Sequence, residues 1–237
     1  MNTLAIMVPT LTLEYDRRML RTSCLLDVDA TLKGYLDKVQ VAYEIFKNYD
    51  INYDVLGVIH DDLTIHEDGW EKRVLAEFED ENVVVAGFGG ARGVGHPDIY
   101  KVPYHFTQLA RYGFISNMTD AEKHGERVTE PTDVAFLDSM ALFIRRSFLA
   151  SLGGWPVDRY APSHMSDLWI CLQALSHGKR VRMVPISITH TGGGAGPTYP
   201  EWCKSTKWGS DEAMHMHNSR QIYAEFRGLL PIRIGGE

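Results

Sequence analysis

The sequence predicts a single α/β domain with a mainly parallel central sheet and helices on both faces. Short apolar runs typical of buried strands alternate with segments whose apolar residues recur at helical spacing. The chain has 237 residues, which suits one large domain with a sizeable core. Its hydrophobic content of 44% and charged content of 23% are ordinary for a globular protein. No internal repeat or low-complexity stretch interrupts this pattern.

The elements follow one another from the first residues to the last. The predicted strands cover residues 4–10, 53–60, 82–88, 134–146 (interrupted at Asp138) and 179–186. The predicted helices cover residues 14–26, 36–46, 70–78, 147–152, 165–175 and 210–228. Residues 95–132, rich in aromatic and charged side chains, are predicted to form an irregular insertion of the kind that often binds ligands.

Composition narrows the functional class. The formal net charge of −7 disfavours a polyanionic partner, although a local basic face is compatible with it. No apolar run reaches the length of a membrane span, and no signal peptide is expected before Leu4. Cys24, Cys171 and Cys203 are scattered and odd in number, which argues against a disulfide framework or a zinc knuckle. These features predict a cytoplasmic protein.

The most informative segment is His60-Asp61-Asp62, at the end of a predicted buried strand. A buried carboxylate needs a partner, and α/β sheets bind ligands outside the carboxyl ends of their strands. Carboxylate oxygens are natural ligands of a hard divalent cation, which in turn could carry a diphosphate. The residues alone also allow a second interpretation, in which Asp61 and Asp62 only begin a turn or cap the following helix.

A glycine-rich segment over residues 87–95 follows the strand at 82–88. It is not a dinucleotide fingerprint, because His96-Pro97 prevents a helix from following it. We expect a mobile loop near a sugar or an acceptor, in which Gly89 and Gly90 let the backbone approach a ligand closely.

Two later segments of the chain carry further motifs, in addition to the strand-end acids. Asp167 stands near the start of a predicted helix, a Lys179-Arg180-Val181 strand follows, and His190 precedes a run of three glycines. Together with the strand-end acids, these motifs resemble those of family 2-type glycosyltransferases with the GT-A fold, in the same order. The resemblance extends over residues 4–194, most of the chain, and is strongest after Asp138.

The resemblance implies transfer of a sugar from a nucleotide-diphosphate donor to an acceptor hydroxyl, by inversion in a single displacement, with Mn²⁺ or Mg²⁺ as cofactor. By position in the motifs, Asp62 and His190 correspond to metal ligands and Asp167 to the catalytic base. The residues implied on the donor side are Pro9, Thr10, His60, Asp61, Gly89 and Gly90. The further candidates, for the acceptor or a second-tier role, are Asp138, His164 and Trp155.

The motifs also depart from the family pattern. His60 replaces the first acid of the DxD-like motif, and Ser166 and Trp169 replace acids on either side of Asp167. Two alternatives therefore stay open: transfer to hydroxylated bases of DNA, as in phage-type hypermodification, and a non-catalytic nucleotide-sugar-binding domain. The acceptor could be a glycan, a small molecule or a modified nucleic acid.

The expected organisation is a transferase domain over residues 1–194 and a C-terminal lid loop and helix over residues 195–237. Within the domain, residues 1–94 form the nucleotide-sugar and metal part. Residues 95–194 form the acceptor part and carry the catalytic helix.

Overall fold

The computed structural model describes residues 2–8, 53–95, 111–118, 125–191 and 199–235. The helices predicted over residues 14–26 and 36–46 lie outside this part of the chain. So do Pro9 and Thr10.

The described residues form thirteen strands and five helices. The strands are β1 (Leu4–Met7), β2 (Val55–Ile59), β3 (Leu63–Ile65), β4 (Val83–Gly87), β5 (Gly89–Val94), β6 (Arg111–Ser116), β7 (Glu126–Arg127), β8 (Thr132–Asp133), β9 (Phe136–Leu137), β10 (Ala141–Arg145), β11 (Arg180–Met183), β12 (Ile188–His190) and β13 (Ile232–Arg233). The helices are α1 (Trp70–Glu77), α2 (Arg146–Leu152), α3 (Ser166–Ser176), α4 (Tyr199–Ser205) and α5 (Asp211–Phe226).

The central sheet has six strands in the order β1-β2-β10-β4-β11-β8. Strand β1 runs parallel to β2, and β11 runs parallel to β4. Between these pairs lies β10, which is antiparallel to both β2 and β4. Strand β8 is antiparallel to β11 at the edge. The α/β class is confirmed, but the prediction of a mainly parallel sheet holds only in part because β10 and β8 make the sheet mixed.

Both faces of the central sheet are covered, as the sequence predicts. Because side chains alternate along a strand, Leu56 and Val58 enter one hydrophobic cluster while Val55 and Ile59 enter the other. Helix α1 covers the second face with Trp70 and Val74, whose spacing of four places them on one side of the helix. Helices α2, α3 and α5 contribute to the cluster on the first face.

The glycine segment is a strand and not the predicted mobile loop. Residues Gly89–Val94 form β5, which pairs with β6, β9 and β13 in a second sheet. A Cβ added at Gly90 would lie 2.1 Å from the Phe136 carbonyl oxygen, so close backbone packing explains this glycine. The irregular insertion predicted over residues 95–132 likewise contains strands, namely β6, β7 and the start of β8.

The chain after residue 190 also holds more regular structure than expected. Helix α4 lies within the segment predicted to be a lid loop. Helix α5 begins as predicted, with the Ser210 hydroxyl accepting a hydrogen bond from the Ala213 N–H. Strand β13 then adds an edge to the second sheet. None of the helices in the described ranges is long and apolar enough to cross a membrane.

Candidate metal centre

The centre begins where β2 leaves the central sheet. Strand β2 is fully buried, and its last residue, Ile59, is followed by the half-buried His60. The His60 N–H donates to the Met140 carbonyl at 2.9 Å, which ties the strand end to the turn before β10. Asp61 and Asp62 then form a turn into β3. The turn interpretation of these two acids is therefore correct for the backbone, and it leaves their side chains available.

His190 reaches the same place through a two-stranded sheet. Strands β3 and β12 pair antiparallel, with His190 opposite Leu63. The N–H and the hydroxyl of Thr191 both donate to the Asp62 carbonyl, at 3.2 and 3.1 Å. This short ladder brings His190 next to His60, which lies 130 positions earlier in the chain.

Three side-chain atoms converge at this point. Nδ1 of His60 lies 3.2 Å from Nε2 of His190. The Asp62 Oδ1 atom lies 3.2 Å from Nε2 of His190 and 3.5 Å from Nδ1 of His60. All three side chains are between about a fifth and a quarter exposed, so the group is partly accessible to solvent. In the part of the chain that the structure describes, it is the one group of three or more such side chains with metal-binding spacing.

The electrostatics of the group fit a cation. Asp62 Oδ1 is buried and faces the two imidazole nitrogens without well-formed hydrogen-bond geometry. A buried carboxylate needs a compensating partner, and a coordinated cation would be one. The contacts with His190 and then His60 hold the pKa of Asp62 well below its ordinary value, against the opposing effect of burial. Asp62 is therefore a carboxylate, ready to bind a metal.

One carboxylate and two imidazoles form a donor set for a divalent transition metal. Imidazole nitrogens bind such ions well, whereas Mg²⁺ prefers an all-oxygen shell. The three groups occupy only part of a coordination sphere, which leaves positions for phosphate oxygens or water. The donor set thus fits a divalent metal ion that accepts both nitrogen and oxygen ligands.

Asp167 and Asp138 lie towards the same edge of the sheet. Helix α3 packs on β4 and β11 and is joined to β11 by three residues. Because so short a connection makes the helix run antiparallel to β11, the start of α3 lies at the end of the sheet where β2 and β4 finish. Asp167 is in the first turn of α3 and half-buried, with Oδ1 accepting from the Leu168 N–H at 2.8 Å. Asp138 follows β9 and accepts from the Met140 N–H at 3.0 Å. Asp167 does not cap the helix, because the N-cap residue is Met165.

The other candidates lie in different settings. Asp61 is exposed and is not part of the three-residue group. Gly89 and Gly90 are buried in β5. Trp155 is 3% exposed and packs against Tyr160 and Trp169, so its ring belongs to the core.

His164 belongs to a second polar cluster, which the sequence motifs do not predict. Its partners are Tyr199 and Asp211, and the neighbouring loop is bonded to Asn218. One signal in the sequence could have indicated this cluster: Asp211, Asn218 and Glu225 stand seven residues apart, the spacing that puts polar groups on one face of a helix.

Comparison with known proteins gives distant structural matches. No protein-family model matches the chain, and no curated protein matches it significantly. A197 from STIV is similar in structure at 16% identity, with a TM-score of 0.43 over 81% of this chain and 87% of that chain. GalNAc-T7 with UDP, GalNAc and Mn²⁺ is similar at 13% identity, with a TM-score of 0.44 over 70% of this chain and 34% of that one. A mannosyltransferase from Pyrobaculum calidifontis in complex with GDP-Man and Mn²⁺ is similar at 14% identity, with a TM-score of 0.40 over 70% of this chain and 39% of that one.

Proposed function

We propose that this protein is a metal-dependent glycosyltransferase of the GT-A type, which moves a sugar from a nucleotide-diphosphate donor to an acceptor hydroxyl. The observation that carries the proposal is the convergence of His60, Asp62 and His190 at the carboxyl edge of the central sheet. Ligands of α/β sheets bind at this edge. The order of the strand-end acid, the Asp167 helix start and the late histidine supports the same function.

The metal ligands would be Asp62 and His190, with His60 as the third. A bound divalent ion supplies Lewis-acid stabilisation of the departing diphosphate. On the donor side, Asp61 is exposed next to the ligands and is our candidate for a contact with the ribose. Strand β1 ends at the same edge, because Met7 pairs in parallel with Val58. Pro9 and Thr10 follow it in the sequence as further donor-side candidates.

Asp167 is the proposed base. Its carboxylate would take the proton of the acceptor hydroxyl while the hydroxyl oxygen forms a bond to the anomeric carbon. The bond between that carbon and the diphosphate oxygen breaks, and its electron pair leaves with the diphosphate. Attack on the side opposite the leaving group inverts the anomeric centre. Asp138, at the same edge, is the second candidate for contact with a sugar.

The first experiment measures nucleotide binding by calorimetry, using UDP and GDP with and without Mn²⁺. We expect affinity that depends on Mn²⁺, and its loss in Asp62→Ala and in His190→Ala. The loss should exceed about 100-fold, because removing a residue that only hydrogen-bonds to a metal ligand already costs about 10–100-fold in metal affinity.

The matched control is His66→Ala. His66 bonds to Thr189 at 2.8 Å beside the same β3–β12 ladder but is not one of the three ligands. This variant should bind as the parent does. Unchanged Mn²⁺-dependent affinity in both ligand variants would refute the assignment of the centre. Release of free sugar from UDP-glucose or GDP-mannose with Mn²⁺ then separates an enzyme from a non-catalytic binding domain.

A further inference from the structure

Helix α5 presents three polar side chains to the segment that precedes α3. Glu225 accepts hydrogen bonds from Tyr160 at 2.5 Å and from Gln173 at 2.6 Å. Asn218 is completely buried, and its Oδ1 accepts from the Ala161 N–H at 2.7 Å. Asp211, at the start of the helix, bonds to the ring of His164 at 2.5 Å. One helix face thus holds the loop over residues 160–165 along its length.

The loop that these side chains hold has an unusual backbone. His164 and Met165 both have positive φ values, 71° and 68°, which residues with a side chain seldom adopt. Nδ2 of Asn218 lies 2.7 Å from the Ser163 carbonyl and 2.9 Å from the His164 carbonyl. The buried amide therefore stabilises a strained turn two residues before Asp167. Strained backbone conformations that the surrounding hydrogen bonds hold in place occur mostly at functional sites.

The contacts of the His164 ring indicate which of its two nitrogens carries the proton in the neutral form. Asp211 carries a carboxylate: burial favours its neutral form, but the hydrogen bonds from Tyr199 and His164 outweigh burial and lower its pKa. A carboxylate has no proton to donate, so Nε2 of His164 must carry the proton between them. The Tyr199 hydroxyl also bonds to Asp211, which fixes the carboxylate. Nδ1 of a neutral His164 is then an unprotonated hydrogen-bond acceptor, and the side chain is 30% exposed.

We propose that His164 binds the acceptor substrate: its Nδ1 accepts a hydrogen bond from an acceptor hydroxyl and orients that substrate beside Asp167. Asp211 sets the tautomer, and Asn218 is a positioning residue that acts through the backbone of the loop. This inference rests on the proposed function. It adds a second contact between the enzyme and a hydroxylated acceptor, from the segment that also carries the proposed base.

The tautomer is tested on the full-length chain without substrate, by nitrogen NMR of ¹⁵N-histidine-labelled protein. We expect His164 to be protonated at Nε2 in the neutral state. Asp211→Ala should allow both tautomers. Glu212→Ala is the matched control, because it removes the neighbouring exposed acid from the same first turn and leaves the contact with His164 intact. Protonation of neutral His164 at Nδ1 in the parent protein would overturn the inference.

The substrate contact is tested with Mn²⁺ and the donor that the hydrolysis experiment identifies, in water containing glycerol as a hydroxyl probe. The measured quantity is the ratio of glycosylglycerol to free sugar, which does not depend on how much enzyme is folded. His164→Ala should lower this ratio by about tenfold, the value of one ordinary hydrogen bond. Asp211→Ala should lower it in the same direction.

His164→Gln should recover part of the ratio, since its amide oxygen can accept a hydrogen bond. Asn218→Asp, which replaces the donor NH₂ with an oxygen facing three carbonyls, should lower the ratio, whereas Ser219→Ala on the adjacent position should not. An unchanged ratio in His164→Ala overturns the inference, as does a parent enzyme that hydrolyses its donor but never glycosylates glycerol. Absence of any donor turnover would count against the proposed function instead, and the NMR result would stand separately.

Discussion

His60 would give the proposed metal centre a second imidazole, where the motif that this segment resembles has a carboxylate. This change lowers the negative charge of the ligand set by one and replaces an oxygen donor with a nitrogen donor. Mg²⁺ binds through oxygen and dehydrates reluctantly, whereas Mn²⁺ accepts imidazole. We therefore expect His60 to influence whether the proposed centre binds Mn²⁺ or Mg²⁺ more tightly.

We predict that His60→Asp shifts metal preference towards Mg²⁺. The Mg²⁺ affinity relative to Mn²⁺, measured by calorimetry without substrate, should rise by about tenfold or more because the set becomes richer in carboxylate. His66→Asp is the control, since it makes the same substitution at an exposed position directly after β3 that is not one of the three proposed ligands. An unaltered Mn²⁺ to Mg²⁺ ratio would show that His60 is not a ligand.

Asp167 can be tested with a substitution that keeps its shape. Asp167→Asn should reduce turnover by about 10²–10⁴-fold, the usual contribution of a general base. The affinity for nucleotide with Mn²⁺ should change little, because Asp167 is not one of the three proposed metal ligands.

We expect Asp167→Asn to lower the free energy of unfolding only slightly. Asp167 is not the N-cap of α3, and an asparagine keeps a side-chain oxygen for the Leu168 N–H. The main loss we expect is the interaction of the carboxylate charge with the helix dipole, about 0.3–1 kcal/mol. Steady-state kinetics and thermal unfolding, measured on the same preparation, separate the two effects. Near-normal turnover of the variant would mean that Asp167 is not the base and only stabilises the start of α3.

At the scale of single elements, close packing between strands explains the glycines that the sequence suggested were functional. In β5, a Cβ at position 90 would lie 2.1 Å from the carbonyl oxygen of Phe136, so β9 would have to shift to admit any side chain there. We predict that Gly90→Ala lowers the free energy of unfolding by about 1–3 kcal/mol, as overpacking typically does.

Gly228→Ala provides the comparison. Gly228 follows α5, is exposed, and has open space where a Cβ would be built. Its substitution should change stability by less than about 0.5 kcal/mol. Urea unfolding of both variants measures the difference. Equal stability of the two would mean that β5 and β9 do not pack as closely as described.

The elements also indicate how far the sequence can predict this molecule. Helices α1, α2, α3 and α5 and strands β2, β4 and β11 follow from periodicity, because each has a clear apolar pattern of its own. Strands β3 and β12 have only three residues each and no such pattern, and they exist because they pair with one another. Asp62 and His190 could be proposed from their motifs. Their contact with His60, and the contact of His164 with Asp211, depend on tertiary packing that no local pattern encodes.

At the scale of the whole molecule, the candidate metal centre connects distant parts of the chain. His60 and Asp62 follow β2, whereas His190 ends β12, after strands β4 to β11 and helix α3. His60 and His190 are 130 positions apart in the chain, so a site of this kind forms only on folding. A ligand that binds only the native state must stabilise the whole domain.

We therefore predict that Mn²⁺ alone raises the melting temperature. At a concentration one hundred times its dissociation constant, an ion binding only the native state adds about 2.7 kcal/mol. For a domain of this size, each kcal/mol is worth roughly 2–4 °C, so we expect an increase of roughly 5–10 °C. Differential scanning fluorimetry with and without Mn²⁺ measures it. The increase should vanish in Asp62→Ala and persist in His66→Ala, because only the former removes a carboxylate ligand from the centre. An equal increase in both variants would place the stabilising ion elsewhere on the protein.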